Sequence, residues 1–227
     1  MTAQTQPLPE PAATSPLRPL PVLGTVGTVV GNEVKRLQCG YLQDHSAAVA
    51  ALARLRRGAG KDAAAIPDLW GLIDTQDLYQ DPALRHQDAE NAVYVAATLW
   101  SLHQQSRGTG MHTAGGNELG TAVRRLMPPG EILDPIRKRF VRAGTAPTVT
   151  VLADRLREIT MLLRDADVSL DYALLADQLY HWQRPGGPDQ VRRSWGRSFH
   201  AYRPKPDTDP TTPQAGPAAG TDPKDTL

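Results

Sequence analysis

The sequence predicts an all-α fold, and three observations lead to that prediction. In residues 89–105, apolar side chains recur around nearly the whole circumference of a helix. Between residues 152 and 163, leucine and isoleucine recur at steps of four, three and four, which is typical of the buried face of an amphipathic helix. No segment between residues 32 and 203 alternates apolar and polar residues as a half-buried strand does. A helix that is apolar on nearly every side must lie inside a bundle, so residues 89–105 are expected to form its centre.

The two ends of the chain differ in composition from the middle. Residues 1–21 and 204–227 are rich in Pro and in small or polar residues, and they cannot bury enough apolar surface to offset the entropy of ordering. Residues 22–30, VLGTVGTVV, are β-branched but interrupted by two glycines. They could form an edge strand, an adhesive part of the tail, or no ordered structure. We therefore predict disordered Pro-rich N- and C-terminal tails at 1–31 and 204–227.

The first predicted helix begins at residue 32 or at residue 44 and ends at residue 57, with Gly58 as the terminating glycine. Its apolar stripe contains Leu42, Val49 and Leu52. A short apolar turn follows from Pro67, because proline is favoured at the first position of a helix.

The central helix has Asp88 as its predicted N-cap. After it, residues 107–116 form a glycine-rich loop, and its length marks it as functional or mobile. Asn117 is the predicted cap of the next helix, and Asp134 with Pro135 begins the one after.

Residues 144–147 are the predicted boundary between two small helical bundles, 32–144 and 145–203. The second bundle contains three predicted helices, the first of them covering the stripe at 152–163. The other two have their apolar faces at Tyr172, Leu175, Leu179 and Trp182, and at Val191, Trp195 and Phe199. We expect Trp195 and Phe199 to belong to the core because they share a helical stripe with Val191.

Composition excludes several classes of protein. The single cysteine, Cys39, rules out an internal disulfide and any zinc site with several cysteines. A charged leader followed by an apolar run is absent, as is any run of 18 apolar residues, so we expect a cytoplasmic protein with no membrane attachment.

No pattern of catalytic or metal-binding residues occurs in the sequence. The segment GGNELG lacks both the strand and the Lys-Ser/Thr pair of a phosphate-binding loop. Nucleophile elbows, HExxH motifs and paired carboxylates are also missing. His103 is expected to be a buried core histidine, and His112, in the predicted loop, is the one histidine left as a candidate for a role. The residues therefore give no support for an enzymatic activity without excluding one, and the sequence predicts no metal and no cofactor.

Charge is segregated along the chain, although the net charge is only +1. Residues 54–61 contain four basic residues and no acid, whereas residues 62–90 contain seven acids and one base. Residues 107–142 contain seven bases and three acids, and residues 184–203 contain five bases and one acid. Arginine dominates the basic blocks, and its planar guanidinium group suits phosphate.

Two interpretations of these blocks stay open from the residues alone. Charge runs are commonly solvated helix faces, here paired with the acidic block. Alternatively, several helices assemble a groove for nucleic acid, with the acidic block turned away from it. Aromatic residues do not interleave the basic blocks in a way that indicates base stacking, so phosphate contacts would dominate and binding would lack sequence preference.

An ordered series of short motifs resembles the small subunit of Cascade, the type I-E CRISPR surveillance complex, also called the CasB family. The series covers residues 41–203, and its members are AALARLRRG, PDLWGLI, LWSLHQQS, GNELGTAVRRLM, RKRFVRA, DRLREITMLLR, SLDYALLADQLYHW and W-x-R-x-F. The resemblance implies two small helical bundles joined near Gly144 and no enzymatic activity. It also implies nucleic-acid binding without base reading, as part of the inner spine that holds opened target DNA. The partners implied are the large subunit, the backbone subunits, a second copy of this chain, CRISPR guide RNA, and the target and displaced DNA strands.

Ten basic residues are the candidates for nucleic-acid binding. Those carried over from the family motifs are Arg56, Arg57, Arg85, Lys138, Arg139, Arg142 and Arg184. Arg54, Arg107 and Arg125 are added from the charge pattern alone. We expect Arg57, Arg85, Arg139 and Arg184 to lie along one groove.

Two other functions compete with this one. A stand-alone helical DNA-binding regulator would use residues 117–142, two short helices separated by a Pro-Gly turn, as a helix-turn-helix. Against it, the segment after Pro129 lacks the small polar side chains that a recognition helix offers to base edges. The other alternative is a protein scaffold whose basic blocks bind acidic partners.

Overall fold

The computed structural model describes residues 22–61 and 66–203. These residues form α1 (Thr25–Leu42), α2 (Ser46–Gly58), a 3-10 turn (Pro67–Leu69), α3 (Gln76–Gln80), α4 (His86–Gln104), α5 (Leu119–Arg125), α6 (Asp134–Gly144), α7 (Val149–Asp165), α8 (Tyr172–Trp182) and α9 (Gly187–Ala201). Strand pairing in the described ranges is limited to one isolated bridge, between His112 and Leu170. The all-α prediction is confirmed. Of the predicted tails at 1–31 and 204–227, residues 1–21 and 204–227 lie outside the described residues.

Helix α4 is the centre of the fold, as its composition predicts. Every residue from 92 to 104 is buried, including the polar side chains of Thr98, Ser101, His103 and Gln104. Helices α1, α2, α7 and α8 all pack against it. The polar residues are tolerated because most hydrogen-bond to carbonyls or side chains nearby, as Ser101 does to the Thr98 carbonyl at 2.8 Å. The helix begins at His86 rather than after the predicted cap Asp88, which lies in its first turn.

The assignment of residues 25–31 to a tail is wrong. They form the first turns of α1, and Val26, Val29 and Val30 are buried in the core. The two glycines that suggested a broken strand are instead sites of close helix packing. A Cβ on Gly27 would lie 2.8 Å from the carbonyl oxygen of Ala173 in α8. Glycine at that position allows α1 to lie directly against α8, a contact that the local sequence does not reveal.

The first predicted helix is two helices. A turn at residues 43–45, with Asp44 in the left-handed region at a φ of 54°, separates α1 from α2. Asp tolerates this conformation because its short polar side chain can hydrogen-bond locally. The predicted stripe is only partly right: Leu52 is buried, whereas Leu42 and Val49 are exposed.

The backbone of the loop at 107–116 is held by two glutamines, contrary to the expectation of a mobile loop, whereas the alternative that the loop is functional stays a prediction. Gln104 accepts a hydrogen bond from the Met111 backbone at 2.9 Å and donates to the Thr109 carbonyl at 2.8 Å. Gln38 of α1 accepts from the His112 backbone at 2.8 Å. His112 is itself buried, and its Nδ1 accepts the Tyr172 backbone N–H at 3.1 Å. Its role is therefore structural, and the loop is part of the core's polar framework.

Asn117 does not cap α5, which begins at Leu119. Its amide donates to the Ser169 carbonyl at 2.8 Å instead, and this bond joins the loop to the turn before α8.

Aromatic packing fixes α6 and α9. Trp195 and Phe199 are buried, as predicted, and the rings of Trp182 and Trp195 stack with centroids 5.5 Å apart. Phe140 of α6 stacks on Phe199 at 5.5 Å. The Trp195 indole donates to Gln178 at 2.7 Å, which satisfies its buried N–H.

The predicted boundary at 144–147 coincides with the turn between α6 and α7. However, α1 packs along α8, α4 packs against α7 and α8, and α5 packs against α9, so both sides of the turn contribute to one apolar core. The division into bundles 32–144 and 145–203 stays a prediction, and the shared core lends it no support. Among the helices of the described ranges, none combines the length and hydropathy that a membrane span requires.

Candidate nucleic-acid interface

Two of the predicted arginines meet at one hydroxyl group. The Tyr180 oxygen accepts the backbone N–H of Arg85 at 3.2 Å and the Arg184 guanidinium N–H at 2.7 Å. Arg184 also lies over the Tyr180 ring, with its guanidinium carbon 5.5 Å from the centroid. Tyr180 is buried, and its hydroxyl group connects the start of α4 to the end of α8. We call Arg85, Tyr180 and Arg184 the Tyr180 cluster.

The surroundings of the Tyr180 cluster favour an anion. Arg85 is the N-cap of α4, a helix of 19 residues whose N-terminus carries partial positive charge. An acidic neighbour is Asp88, whose Oδ2 lies 3.1 Å from Nε of Arg85 but receives no hydrogen bond from the described residues. Gln183 fixes the same corner by donating to the Asp88 carbonyl at 2.8 Å. The side chain of Arg85 remains 62% exposed and is available to a ligand.

The basic end of α2 contacts the 3-10 turn. Arg54 Nε donates to the Asp68 carbonyl at 3.0 Å, and Arg57 Nη1 lies 3.4 Å from the Asp68 carboxylate. Both groups of that second pair are about two-thirds exposed, at 66% and 67%, so solvent screens it. Arg56 is half-buried and makes no side-chain hydrogen bond or ion pair with a described residue. These contacts show that Asp68 of the acidic block 62–90 lies directly against the basic block 54–61 and does not face away from it.

The three predicted residues of α6 are engaged within the chain. Lys138 Nζ lies 3.8 Å from Asp134, and Arg142 Nη1 lies 3.8 Å from Glu158 of α7. Arg139 donates to the Pro135 carbonyl of its own helix at 3.2 Å. These pairs are exposed and long, so each leaves donors that can turn to a phosphate.

Helix α7 lies between the basic ends of α2 and α6. A Cβ on Gly60, just after α2, would lie 3.5 Å from Cδ of Arg157 in α7. On the other side, Arg155 of α7 donates to the Arg142 carbonyl. The structure thereby brings the segment of Arg57 and the segment of Arg142 to the same helix, although 85 residues separate them in sequence.

Arg107 and Arg125 lie apart from these groups. Arg107 follows the C-terminal end of α4 and pairs with Asp167 at 3.7 Å. With a rise of 1.5 Å per residue, α4 separates it from Arg85 by roughly 28 Å. Arg125 donates to the Asn117 side chain at 3.3 Å. Neither they nor Arg57 and Arg139 contact the Tyr180 cluster in the described residues, so the single groove for the four arginines stays a prediction.

Sequence reasoning did not select three exposed arginines that make no hydrogen bond or ion pair with any residue in the described ranges: Arg157, Arg193 and Arg197. One signal could have identified Arg197. Positions three and four residues from it hold no acid, so no helical ion pair can form. For Arg193, Asp189 has the right spacing, but it pairs with Arg192 instead.

The acidic segment at 66–90 carries exposed aromatic residues. Trp70 is 60% exposed and Tyr79 is 57% exposed. The Tyr79 hydroxyl donates to Glu90, and this hydrogen bond raises the pKa of the phenol. The Thr25 hydroxyl donates to Asp81 at 2.6 Å, and that bond lowers the pKa of the carboxyl group. The segment is therefore an ordered acidic and aromatic surface.

Comparisons with known proteins agree with this fold. The family model described as CRISPR-associated protein Cse2 matches residues 51–200. The crystal structure of CasB from Thermobifida fusca is 52% identical, with a TM-score of 0.73, and the match covers 79% of this chain and 100% of that one. A Cse2-family CRISPR-associated protein from Thermus thermophilus is 25% identical, with a TM-score of 0.58 and coverage of 78% and 98%. A chain of a CRISPR RNA-guided surveillance complex, 20% identical, shares the fold with a TM-score of 0.57 over 77% of this chain and 93% of its own. No curated protein matches the chain significantly.

A small all-helical CRISPR-associated protein is thus the class that the fold and these matches define. Within that class, the chain belongs to the Cse2 family, also called CasB. This confirms the resemblance to the small subunit of the type I-E complex that the ordered motifs indicate.

Proposed function

We propose that this Cse2-family chain is a non-catalytic subunit of Cascade that binds the nucleic-acid backbone without reading bases. Guide RNA pairing would supply sequence specificity, and this chain would neutralise phosphates of the opened target and displaced DNA strands. Its protein partners would be the large subunit, the backbone subunits and a second copy of itself.

The observation that carries the proposal is the Tyr180 cluster. Arg85 and Arg184 are 99 residues apart in sequence, yet one buried hydroxyl accepts both the Arg85 backbone N–H and the Arg184 guanidinium N–H. The Arg184 guanidinium group, the exposed Arg85 side chain and the N-terminus of α4 together suit a phosphate, because charge-assisted hydrogen bonds and the helix dipole act together. The cluster offers nothing that distinguishes one base from another, so binding there would be independent of sequence.

The acidic and aromatic surface supports the second half of the proposal, which concerns assembly. Trp70 and Tyr79 are large apolar groups at the surface, and aromatic residues are enriched at the centres of protein interfaces. Nearby carboxylates repel nucleic acid, so a protein is the partner that this surface fits.

The test of the nucleic-acid function uses the assembled complex with Arg85→Ala, Arg184→Ala and the double variant. Arg36→Ala is the matched control, because Arg36 is also exposed and ion-paired but lies on α1 beside Glu33. We expect the double variant to assemble normally, to release target DNA faster, and to lower the slope of log affinity against log salt by about one for each phosphate that is no longer bound. The control should leave all three measurements unchanged.

Two outcomes would contradict the proposal and favour an alternative. A preferred duplex sequence in footprinting of the isolated chain would favour the stand-alone regulator. Unchanged DNA retention in an assembled double variant would favour the pure protein scaffold.

A further inference from the structure

The outward face of α9 carries a row of cations to which no role has been assigned, among them Arg197 of the W-x-R-x-F motif. Val191, Trp195 and Phe199 point into the core at steps of four. The opposite side of the same helix exposes Arg193 and Arg197, one turn apart. We call this surface the α9 face.

These two arginines differ from most of those that the sequence singled out. Arg57, Arg85 and Arg142 each lie next to a carboxylate. On α9, Asp189 forms an ion pair with Arg192. Arg192 also donates a hydrogen bond to the Gly144 carbonyl at 3.1 Å. Arg193 and Arg197 thus keep all their donors free of described partners, and no internal ion pair must break before they bind a phosphate.

Gly196 leaves room between them. Apart from its own helix backbone, a Cβ at this position would meet no atom of the described residues within 4 Å, so their packing does not require glycine there. Glycine in a helix interior is nevertheless less stable than alanine. The open space at Gly196 therefore leaves room for a group outside the chain to approach α9 closely.

A cleft of about 470 Å³ continues the α9 face toward α5. Arg197 and Arg203 line it together with the hydroxyl groups of Ser194 and Thr121, and Glu118 is the acidic residue of its wall. Arg197 therefore belongs both to the exposed row and to a polar cleft rich in hydrogen-bonding groups.

Helix α9 is also connected to the two basic groups described above. Arg184 of the Tyr180 cluster lies in the loop before α9, and Arg192 donates to the Gly144 carbonyl at the end of α6, the helix that contains Arg142. Arg193 and Arg197 are four residues apart, so they lie roughly 6 Å from each other along the axis of α9.

We infer that the α9 face, through Arg193, Arg197 and Arg203, binds the sugar-phosphate backbone of a nucleic-acid strand. The inference rests on the proposed function and extends it to residues that carry no assignment. The face has no exposed large apolar side chain among those of the described residues, whereas a protein interface needs an apolar centre. Its charged groups are arginines, which bind phosphate oxygens through two parallel hydrogen bonds.

The experiment compares Arg193→Ala/Arg197→Ala with Arg85→Ala/Arg184→Ala and with the control Arg36→Ala in the assembled complex. Target-DNA dissociation and the salt slope are measured for each. We expect the α9 double variant to assemble, to release DNA faster, and to lower the salt slope by about two.

Gly196 supplies a second, independent variant. Gly196→Leu adds a side chain that points away from the core, so the chain should fold, but the bulk should block the backbone and speed DNA release. Gly196→Ala is its size control and should retain DNA more nearly like wild type.

The outcomes separate the two proposals. Faster release in the Arg85/Arg184 variant with unchanged release in the α9 and Gly196→Leu variants would overturn the inference and leave the proposed function standing. Unchanged release in all of them would overturn both. Loss of assembly in the α9 variant, with normal DNA binding by the isolated chain, would mean that the face binds an acidic protein and would overturn the inference.

Discussion

The Asp177 carboxylate of α8 accepts a hydrogen bond from the backbone nitrogen of Gly27 in α1 at 2.6 Å, across 150 residues of sequence. Its other oxygen accepts the Gly24 N–H at 2.7 Å. The first N–H groups of a helix have no partner within that helix, and here a side chain from another helix supplies one. Burial raises the pKa of Asp177, while the two backbone hydrogen bonds oppose that shift. The start of α1 is thus capped from α8.

We predict that Asp177→Ala destabilises the chain by about 2 to 3 kcal/mol, because it leaves two backbone donors without partners, one of them buried. Urea unfolding followed by circular dichroism measures the change. Asp189→Ala is the control, since its ion pair with Arg192 is exposed and should contribute at most about 1 kcal/mol. A loss no larger than that of the control would show that the cap does not stabilise α1.

The same substitution should have opposite effects at two helical glycines. Gly27→Ala forces a methyl group to within 2.8 Å of the Ala173 carbonyl, which should cost about 1 to 3 kcal/mol. Gly196→Ala meets no atom within 4 Å and should stabilise α9 by about 0.5 to 1 kcal/mol. Urea unfolding of wild type and the two variants measures both changes. When the slope of free energy against urea concentration is the same in all three proteins, the shift of each midpoint gives the change in the free energy of unfolding. A stabilising effect of Gly27→Ala would contradict the packing described for α1 and α8, whereas a destabilising effect of Gly196→Ala would contradict the open space described at α9.

Stability should fall as pH decreases from 6.5 toward 4. Burial lowers the pKa of His103 to about 4, and the nearby cations Arg107 and Arg164 add to the effect. Between its unfolded and folded pKa values the unfolded state binds the proton and the folded state does not. At pH 5 the loss attributable to His103 is therefore about 2 kcal/mol relative to pH 7.

Urea unfolding of wild type and His103→Gln at pH 7 and pH 5 measures this contribution. His103→Gln should lose less stability than wild type between pH 7 and pH 5. Some dependence of its stability on pH should remain, because burial also lowers the pKa of His112. Equal losses in both proteins would mean that His103 is not the group responsible.

Assembly should depend on the acidic and aromatic surface. We predict that Trp70→Ala/Tyr79→Ala weakens incorporation into the complex at least tenfold, because truncating aromatic anchors at an interface centre typically costs more than about 2 kcal/mol. Co-purification with the other subunits measures incorporation, and DNA binding by the isolated variant checks that the basic surfaces are intact. Val141→Ala is the control, since Val141 is a 50% exposed apolar residue on α6. Normal incorporation of the double variant would place the protein contacts elsewhere.

Much of the fold could be predicted because the signal is local. The predicted stripe of Leu152, Leu156, Ile159 and Leu163 is buried, and the actual α7 spans Val149–Asp165. Pro135 lies in the first turn of α6, as the preference for proline at a helix start predicts. Trp195 and Phe199 share a stripe with Val191 and are buried with it. In each case one short segment contains the whole pattern.

The errors arose where a residue's role depends on a distant partner. Gly27 weakens a helix considered alone, yet it is required where α8 approaches. Residues 107–116 resemble a mobile loop until Gln38 and Gln104 are seen to hold their backbone. The candidate site shows the same dependence, since charge runs identify which segments are basic but not which arginines are already paired.

By itself, the sequence determined that the chain is all-α, that residues 89–105 form its central helix, and that its basic residues are grouped in arginine-rich segments. These properties follow from helical periodicity and composition, which act over a few neighbouring residues. Only the tertiary structure decided that α1 begins at Thr25, that Arg85 and Arg184 share the Tyr180 hydroxyl, and that Arg193 and Arg197 are left without partners among the described residues. Each of these depends on contacts between helices, and hydrogen bonds and ion pairs are formed by whichever groups the packing brings within about 3 to 4 Å.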